Sequence, residues 1–111
     1  MTGDALSKGT YKSCTTEQRS VLRICQWINF GRIEGLKISK GVPSFTKDVK
    51  FIREAKLDAA GMPRREMDLP DFILKDQHIS LFDYMDYLGD GVMTIKVMHG
   101  LPFQCFFEDH L

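Results

Sequence analysis

Two parts of the chain repeat one pattern, and this repetition constrains the fold more than any other feature. In each part, a segment with helical periodicity is followed by a glycine, an alternating segment, a Gly-Val/Leu-Pro turn and a second short apolar segment. The two turns are "KGVPSF" and "HGLPF". The repetition predicts an internal α-β-β duplication, although convergent turn chemistry explains the shared turns equally well. We therefore predict the order α-β-β-α-β-β.

The first helix is predicted from a capping signal. The stretch "TTEQ" has the form of a capping box, in which Thr15 and Gln18 cap each other's backbone. Apolar residues then recur at the spacing of one helical face. Gly31 stands where a left-handed residue commonly ends a helix. We expect this helix to run from about Thr16 to Phe30.

The second predicted helix follows the longest loop, residues 57–70. Asp68 is the predicted N-cap, with Pro70 in the first turn. The helix extends to about Leu88, because apolar residues recur every three or four positions, and Gly89 ends it. The residues of this apolar face are Leu74, His78, Leu81, Met85 and Leu88.

Four strands complete the predicted domain. The segments "RIEGLKIS" and "DVKFIREAKL" flank the first turn and are rich in β-branched and aromatic residues. The segment "GVMTIKVMHGLPFQCFFE" alternates well enough for two more strands. We predict an α+β fold in which two helices pack on one face of a four-stranded, mostly antiparallel sheet. The other face of such a sheet is open to water or to a partner.

The chain has the length of a single domain. With 111 residues, of which 43% are hydrophobic and 27% charged, it can bury one core without disulfide or metal staples. We expect residues 14–111 to form one α+β domain. Residues 1–13 are small and polar, and we expect them to form a flexible lead-in.

Cysteine content and the N-terminal sequence favour the cytoplasm. Cys14, Cys25 and Cys105 are widely separated and odd in number, which argues against a disulfide framework or a zinc site. The first residues lack the apolar segment of a signal peptide, and no apolar run is long enough to span a membrane. We expect reduced thiols, no metal, no cofactor and no membrane partner.

Charge is divided between the two halves of the sequence. Residues 1–65 contain 13 Lys and Arg against 6 Asp and Glu, whereas residues 66–111 contain 2 against 9. Contact between the halves, within one chain or between two copies, would bring their opposite net charges together. The predicted basic patch comprises Lys37, Lys40, Lys47, Lys50, Arg53, Arg64 and Arg65. The predicted acidic patch comprises Asp76, Asp83, Asp86 and Asp90.

Most of the acidic patch lies at the unfavourable end of its helix. A helix C-terminus carries partial negative charge, so Asp83, Asp86 and Asp90 require compensation. Basic residues of the same chain or of a second copy would supply it. A hard-cation site is a weaker explanation, because side chains one or two turns apart on a straight helix do not converge on one point.

Aromatic residues predict an interaction surface near the helices. Arg23 and Trp27 are one turn apart on the outer side of the first helix, with Phe30 nearby. Phe72 and Ile79 interrupt the acidic patch. Trp and Arg together are typical of interface hot spots. A local stack of Trp27 on Arg23 that covers its own surface is an equally good explanation.

The sequence contains no familiar catalytic motif: GxSxG, GxxxxGK[ST], GxGxxG and HExxH are all absent. His78 falls on the core-facing side of the second helix, where a hydrogen-bonded histidine at the border of the core is expected. His99 lies in a turn, where histidines are usually solvated. Cys25 and Cys105 are predicted to be buried, and Cys14 is the most exposed thiol.

These observations predict a small non-enzymatic interaction or regulatory module that forms a homodimer or binds a protein partner through its aromatic and charged surfaces. Two alternatives stay open. The basic first half would suit a nucleic-acid-binding protein, although the sequence has no nucleic-acid-binding motif. A small enzyme that uses His78 or His99 with nearby carboxylates is the second alternative.

Overall fold

The computed structural model describes residues 9–55, 57 and 69–108, and within them it places two helices, five strands and one 3-10 turn. The first half contains the 3-10 turn Tyr11–Ser13, α1 (Thr16–Ile28), β1 (Gly31–Ser39), β2 (Val42–Ser44) and β3 (Lys50–Arg53). The second half contains α2 (Asp76–Leu88), β4 (Gly91–Met98) and β5 (Leu101–Phe107). The predicted α+β class is confirmed. Neither described helix has the length and apolar character needed to cross a bilayer.

All strand pairs are antiparallel, with β1 and β4 side by side at the centre of the sheet. β5 pairs with the other side of β4. β2 and β3 share the other side of β1, where β2 pairs with its C-terminal half and β3 with its N-terminal half. In the described residues the sheet therefore has one edge formed by β2 and β3 and a second edge formed by β5.

The described sheet has five strands, whereas the sequence predicted four. The sequence predicted a single strand after the "KGVPSF" segment, whereas Lys40 and Gly41 alone form the turn and β2 begins at Val42. Both turn residues have positive φ, as expected for a two-residue hairpin loop that follows the twist of its strands. Residues 45–49 then leave the sheet before β3 resumes pairing with β1.

The two halves repeat one another about a pseudo-two-fold axis between β1 and β4. α1 and α2 both have 13 residues, and they begin at Thr16 and Asp76, an offset of 60 positions. Gly31 of β1 is paired with Val97 of β4, and Gly91 of β4 is paired with Ile38 of β1. Each central strand therefore begins opposite the end of the other, and the structure repeats the α-β-β arrangement that the sequence suggested.

The ends of the two helices also correspond, and each is bonded to the other half. Asn29 and Gly89 follow α1 and α2 with φ of 62° and 72°. The carbonyl group of Asn29 accepts the N–H of Gly100 at 2.9 Å, and that of Gly89 accepts the N–H of Gly41 at 2.8 Å. Each helix end is thus held by the hairpin turn of the opposite half.

The predicted end of α1 was wrong by two residues. The helix stops at Ile28, and Asn29 has the left-handed φ that the sequence analysis assigned to Gly31. Gly31 is required for a different reason, because a Cβ atom there would lie 1.9 Å from the carbonyl oxygen of Ile52 in β3. Asn tolerates a positive φ better than most residues, which explains why it can replace glycine at the helix end.

Both helices pack on one face of the sheet. The inward-facing residues of the central strands are buried beneath them, and in β1 the alternation is interrupted by a register shift between Ile33 and Leu36. The buried residues are Ile33, Leu36, Ile38, Met93, Ile95 and Val97. α1 and α2 contribute buried residues at equivalent positions, with Val21 and Cys25 matching Leu81 and Met85. In the part of the chain that is described, no element covers the opposite face of the sheet, which we call the open face.

α2 begins later than predicted. Asp71 is not helical, and the N-cap residue is Lys75 rather than a residue near position 68. The carboxylate of Asp71 accepts the N–H of Lys12 at 2.9 Å, so it binds the segment before α1. Pro70, predicted in the first helical turn, also precedes the helix. Asp68 lies outside the described residues.

Residues 9–13, which the sequence analysis placed in the lead-in, contact the segment before α2. Thr10 forms a β-bridge with Ile73, and the N–H of Tyr11 donates to the carbonyl group of Phe72 at 2.8 Å. Residues 1–8 lie outside the described part of the chain. The segments that precede the two helices therefore hold each other in place.

Candidate interaction surfaces

Arg23 and Phe72, two residues of the predicted interaction surface, lie together in one cluster. The guanidinium carbon of Arg23 is 4.2 Å from the ring centre of Tyr11 and 5.5 Å from that of Phe72. The two rings stack at 5.1 Å. Arg23 also donates to Gln26 Oε1 at 2.8 Å and to the carbonyl oxygen of Leu69. This cluster binds α1 to the segments before both helices.

Trp27 is part of a second cluster at the β3 side of α1. It is 40% exposed, and the guanidinium carbon of Arg53 lies 4.5 Å from its ring centre. Its ring meets that of Phe51 edge-on at 6.3 Å, and the rings of Phe45 and Phe51 are 6.2 Å apart. Arg53, predicted as part of the basic patch, is therefore one of the cations that contact the aromatic surface.

Phe30 and Ile79 contact other parts of the structure. The Phe30 ring packs edge-on against His99 in the second hairpin turn, at 4.8 Å. Ile79 is half-buried on α2. Of the five predicted surface residues, the structure thus brings Arg23 and Phe72 together, whereas Trp27 contacts β3 and Phe30 contacts the second turn.

The acidic residues at the end of α2 lie against the first hairpin turn. A carboxylate oxygen of Asp90 accepts the backbone N–H of Lys40 at 3.1 Å. Asp86 is in close contact with Gly41, where a Cβ atom would lie 2.6 Å from its carboxylate oxygen. Within the described residues, Asp83, Asp86 and Asp90 form no ion pair with lysine or arginine. At Asp90, a backbone N–H group rather than a lysine side chain supplies the compensation.

The predicted basic residues are divided among several places. Lys37 lies on the open face, because it alternates with the buried residues Leu36 and Ile38. Lys50 lies on the same face, because it is paired with Glu34. Lys40 is in the first hairpin turn, and Lys47 lies in residues 45–49. Arg64 and Arg65 lie outside the described residues.

His78 caps the N-terminus of α2. It is 3% exposed, and its Nδ1 accepts the backbone N–H of Lys75 at 3.0 Å. Burial, with a smaller contribution from the charge of Lys75, lowers the pKa of His78 from 6.5 to about 4. In α1 the same role belongs to Gln18, whose Oε1 accepts the N–H of Thr15 at 3.0 Å. His78 is therefore a neutral capping residue at the position equivalent to Gln18.

His78 and His99 both line a small cavity of about 20 Å³. Gln26, Phe72 and Lys75 also line it, and none of its described lining residues is a carboxylic acid. The described residues thus bring two histidines together without the acid that a histidine-carboxylate enzyme would use.

Cys25 is fully buried, and burial raises its thiol pKa to about 12.

β5 is an edge strand without a charged residue. Its sequence is "LPFQCFF", and no described strand pairs with its outer side. Phe103 and Phe106 are 47% and 49% exposed. The sequence predicts this strand but not its place at the edge, because strand order depends on pairing between distant segments. The absence of charge over seven residues was the signal that would have drawn attention to it.

A groove of about 600 Å³ separates β5 from α2. Tyr84, Phe103 and Phe107 form apolar walls, and Asp76 and Gln77 lie at its α2 side. The ring centres of Tyr84 and Phe107 are 5.9 Å apart. The groove therefore joins exposed aromatic surface to an uncovered strand edge.

The corresponding edge of the first half is built differently. Residues 45–49 interrupt the pairing with β1, whereas β5 stays in the sheet as one strand with only a register shift in its pairing with β4. They contribute Val49 to the core and Phe45 to the ring contacts beside Trp27. The pseudo-symmetry thus reveals a difference between the two edges of the sheet.

No known protein family matches the chain, and no curated protein or solved structure matches it either.

Proposed function

We propose that the protein is a non-enzymatic interaction module that forms a homodimer by pairing the β5 strands of two copies. The observation that supports this proposal is the uncharged, uncovered edge of β5. Unpaired backbone N–H and C=O groups at a sheet edge are a template for another strand, and natural proteins normally block such edges.

The two edges of the sheet differ in this protection. The β2 and β3 edge is short and interrupted, and it carries Pro43, Lys47, Lys50 and Arg53. Short strands, proline and lysine are the usual means of preventing edge pairing. β5 also contains a proline, Pro102, and a register shift in its pairing with β4, but its seven residues are consecutive and none of them is charged. The contrast within one sheet favours β5 as the edge that receives a partner strand.

Aromatic residues around β5 would supply the contact area that a single strand lacks. Tyr84, Phe103 and Phe106 are each about half exposed. Aromatic anchors in a groove are typical of the residues that dominate interface energies. A second copy is the occupant we propose, because a two-fold axis lets each copy present the same edge to the other.

A two-fold axis at Cys105 preserves the faces of both strands. Antiparallel pairing would then place Phe106 opposite Gln104 of the second copy, and both residues lie on the open face. Phe107 would lie opposite Phe103 of the second copy, and both line the groove. Cys105 of the two copies would be direct neighbours, about 5 Å apart at their Cβ atoms.

Light scattering coupled to size-exclusion chromatography tests the proposal. We expect the wild-type chain to have twice the mass of a monomer and Phe103→Lys to be monomeric, because a lysine beside the strand edge opposes pairing. Val42→Lys is the matched control, since Val42 is 43% exposed on the opposite edge and should leave the dimer intact. A monomeric wild type at high concentration, or equal effects of both variants, would contradict the proposal.

Oxidative cross-linking tests the register independently. In a Cys14→Ser variant, mild oxidation should join two chains through Cys105 if the axis lies at this residue. The same treatment of Cys14→Ser combined with Cys105→Ser should give no cross-linked dimer. A dimer that does not cross-link would refute this register while leaving edge pairing in place.

The cytoplasmic location is also part of this proposal. The structure contains Cys14, Cys25 and Cys105 as free thiols, and a reducing compartment would keep them so.

A further inference from the structure

The open face of the sheet has an ordered arrangement of side chains. Cross-strand pairing places residues of neighbouring strands in rows, and residues within a row face the same side. The first row contains Ile52, Arg32, Lys96 and Gln104. The second row is interrupted by the register shift between β1 and β4: it contains the pair Lys50 and Glu34 and the pair Thr94 and Phe106. The third row contains Ser44, Lys37 and Val92.

Positive charge predominates on this face. Four cations, Arg32, Lys37, Lys50 and Lys96, accompany one acid, Glu34, which is already paired with Arg32. Within the described residues, none of the three lysines forms an ion pair with a carboxylate. The face therefore has uncompensated positive charge over β1, β3 and β4.

Two cations of the open face are direct neighbours across the central strand pair. Arg32 and Lys96 are paired residues of β1 and β4. Like charges directly opposite one another destabilise a sheet. Glu34 already compensates Arg32, so an anion bound between the two cations would chiefly compensate Lys96, and a depression of about 440 Å³ lined by both residues lies there. Among the described residues that line the same depression, Glu54 is the acidic one.

Apolar side chains lie beside the cations on the open face. Phe106, Val92 and Met98 are 49%, 58% and 43% exposed. The Lys96 ammonium nitrogen is 5.3 Å from the Phe106 ring centre. The arrangement therefore places a ring and aliphatic surface next to a band of positive charge.

From this arrangement we infer that the open face binds single-stranded nucleic acid. The cations over β1 and β3 would contact phosphates, and Phe106 with Met98 would contact the faces of bases. A duplex is a poorer fit, because its bases are stacked inside and cannot lie on a sheet. The inference concerns a different face from the β5 edge and does not depend on dimer formation.

Fluorescence anisotropy of labelled oligo-dT and oligo-U, each of about 12 nucleotides, tests the inference. We expect binding to both oligomers and weaker binding to a duplex of the same length. Affinity should fall as salt rises from about 50 to about 200 mM, because counterions are released on binding. Binding that is absent, or equally strong to the duplex, would overturn the inference.

Variants of single residues locate the binding face. The Lys37→Gln and Lys96→Gln changes should each weaken binding and reduce the logarithmic salt slope by about 0.7. Lys12→Gln is the matched control, because Lys12 is exposed within the 3-10 turn and belongs to no strand of the sheet. An equal effect of Lys12→Gln would mean that binding follows net charge alone, and the inference would fail.

Phe106→Leu tests the contribution of base stacking. It removes the ring but keeps an apolar side chain, and we expect about 5-fold or greater loss of affinity for the single strands. Competition by heparin should be unchanged by this substitution, since heparin has no bases. If oligonucleotide binding is also unchanged, the face is a general polyanion surface and the inference is refuted.

Discussion

At the scale of single residues, His78 shows how a titratable side chain can be structural. Its Nδ1 accepts a backbone N–H at the start of α2, and only the neutral ring with its proton on Nε2 leaves this nitrogen free to accept. Protonation would destroy the cap and place a charge in a buried site. The role of His78 is therefore to cap a helix, and this role depends on pH.

The lowered pKa predicts acid sensitivity. Between the unfolded pKa of 6.5 and the folded value of about 4, the unfolded chain binds more protons at His78 than the folded chain does. The contribution of the neutral cap is thus fully present above about pH 6.5 and is lost as the pH falls toward 4. The loss amounts to about 1 to 3 kcal/mol of unfolding free energy.

His78→Gln is the informative substitution, because Gln18 performs the same function in α1. Urea unfolding at about pH 7 and about pH 4.5 should show a smaller loss of stability for the variant than for the wild type. Gln18→His is the reciprocal variant and should add acid sensitivity if its site is equally buried after substitution. Parallel pH dependence of wild type and His78→Gln would exclude His78 as the source.

Residue-level prediction from sequence succeeded where a local motif defines the contact. Thr15 and Gln18 form the expected capping box, and His78 is the expected buried, hydrogen-bonded histidine. It failed to foresee Arg53 over Trp27, because that contact joins β3 to α1 across the fold. Helical spacing reports only the neighbours that a residue has on its own helix.

At the scale of elements, the two hairpin turns contain residues that are not ideal for their conformation. Lys40 and His99 have φ of 51° and 56°, in the left-handed region that favours Gly, Asn and Asp. The following residues, Gly41 and Gly100, have positive φ as well. Turns of this kind prefer Asn-Gly.

Lys40→Asn should therefore stabilise the protein by about 0.5 to 1 kcal/mol. The backbone N–H that donates to Asp90 is retained in this variant. Chemical denaturation would measure the gain, with Ser39→Asn as a control on the neighbouring strand, where asparagine is expected to be neutral or unfavourable. A loss of stability in Lys40→Asn would show that the lysine side chain contributes more than the turn geometry.

Helices and strands were predicted well only where a local sequence pattern defines them. The two helices and the central strands follow from apolar periodicity, which the core confirms. The start of α2 was misplaced because Asp71 resembles a helix-start residue but binds Lys12. β2 was missed because its three residues, Val42–Ser44, were assigned to the turn between the first two predicted strands.

At the scale of the whole molecule, salt should separate the two proposed surfaces. In a β5-paired dimer, the groove sides of α2 from both copies would approach each other, including Asp76 and the nearby Asp83. Salt screens such like-charge repulsion. We therefore expect the dimer to persist or strengthen between about 50 and about 500 mM salt, whereas oligonucleotide binding should weaken.

Light scattering and anisotropy on the same samples would measure both effects. A dimer that dissociates at high salt would indicate association through opposite charges, as the division of charge along the sequence first suggested. Oligonucleotide binding that persists at high salt would contradict the phosphate contacts proposed for Lys37 and Lys96.

The whole fold was largely predictable, and the surfaces were not. Repetition of the α-β-β pattern was visible in the sequence, and it determines the class and the layers. The position of β5 at an edge and the row formed by Arg32 and Lys96 depend on which strands pair, over separations of more than 50 residues. Local pattern contains no information about such pairing, so the surfaces emerged only from the structure.

The crossed bonds between helix ends and hairpin turns have a consequence for synthesis on the ribosome. When the first half of the chain emerges, the N–H of Gly41 has no Gly89 carbonyl group to bind, and the carbonyl group of Asn29 has no Gly100. β1 also lacks its central pairing strand until β4 has been synthesised. The nascent first half therefore lacks the contacts that close its own helix and sheet, and cooperative folding is delayed until β4 and the second hairpin turn have been translated.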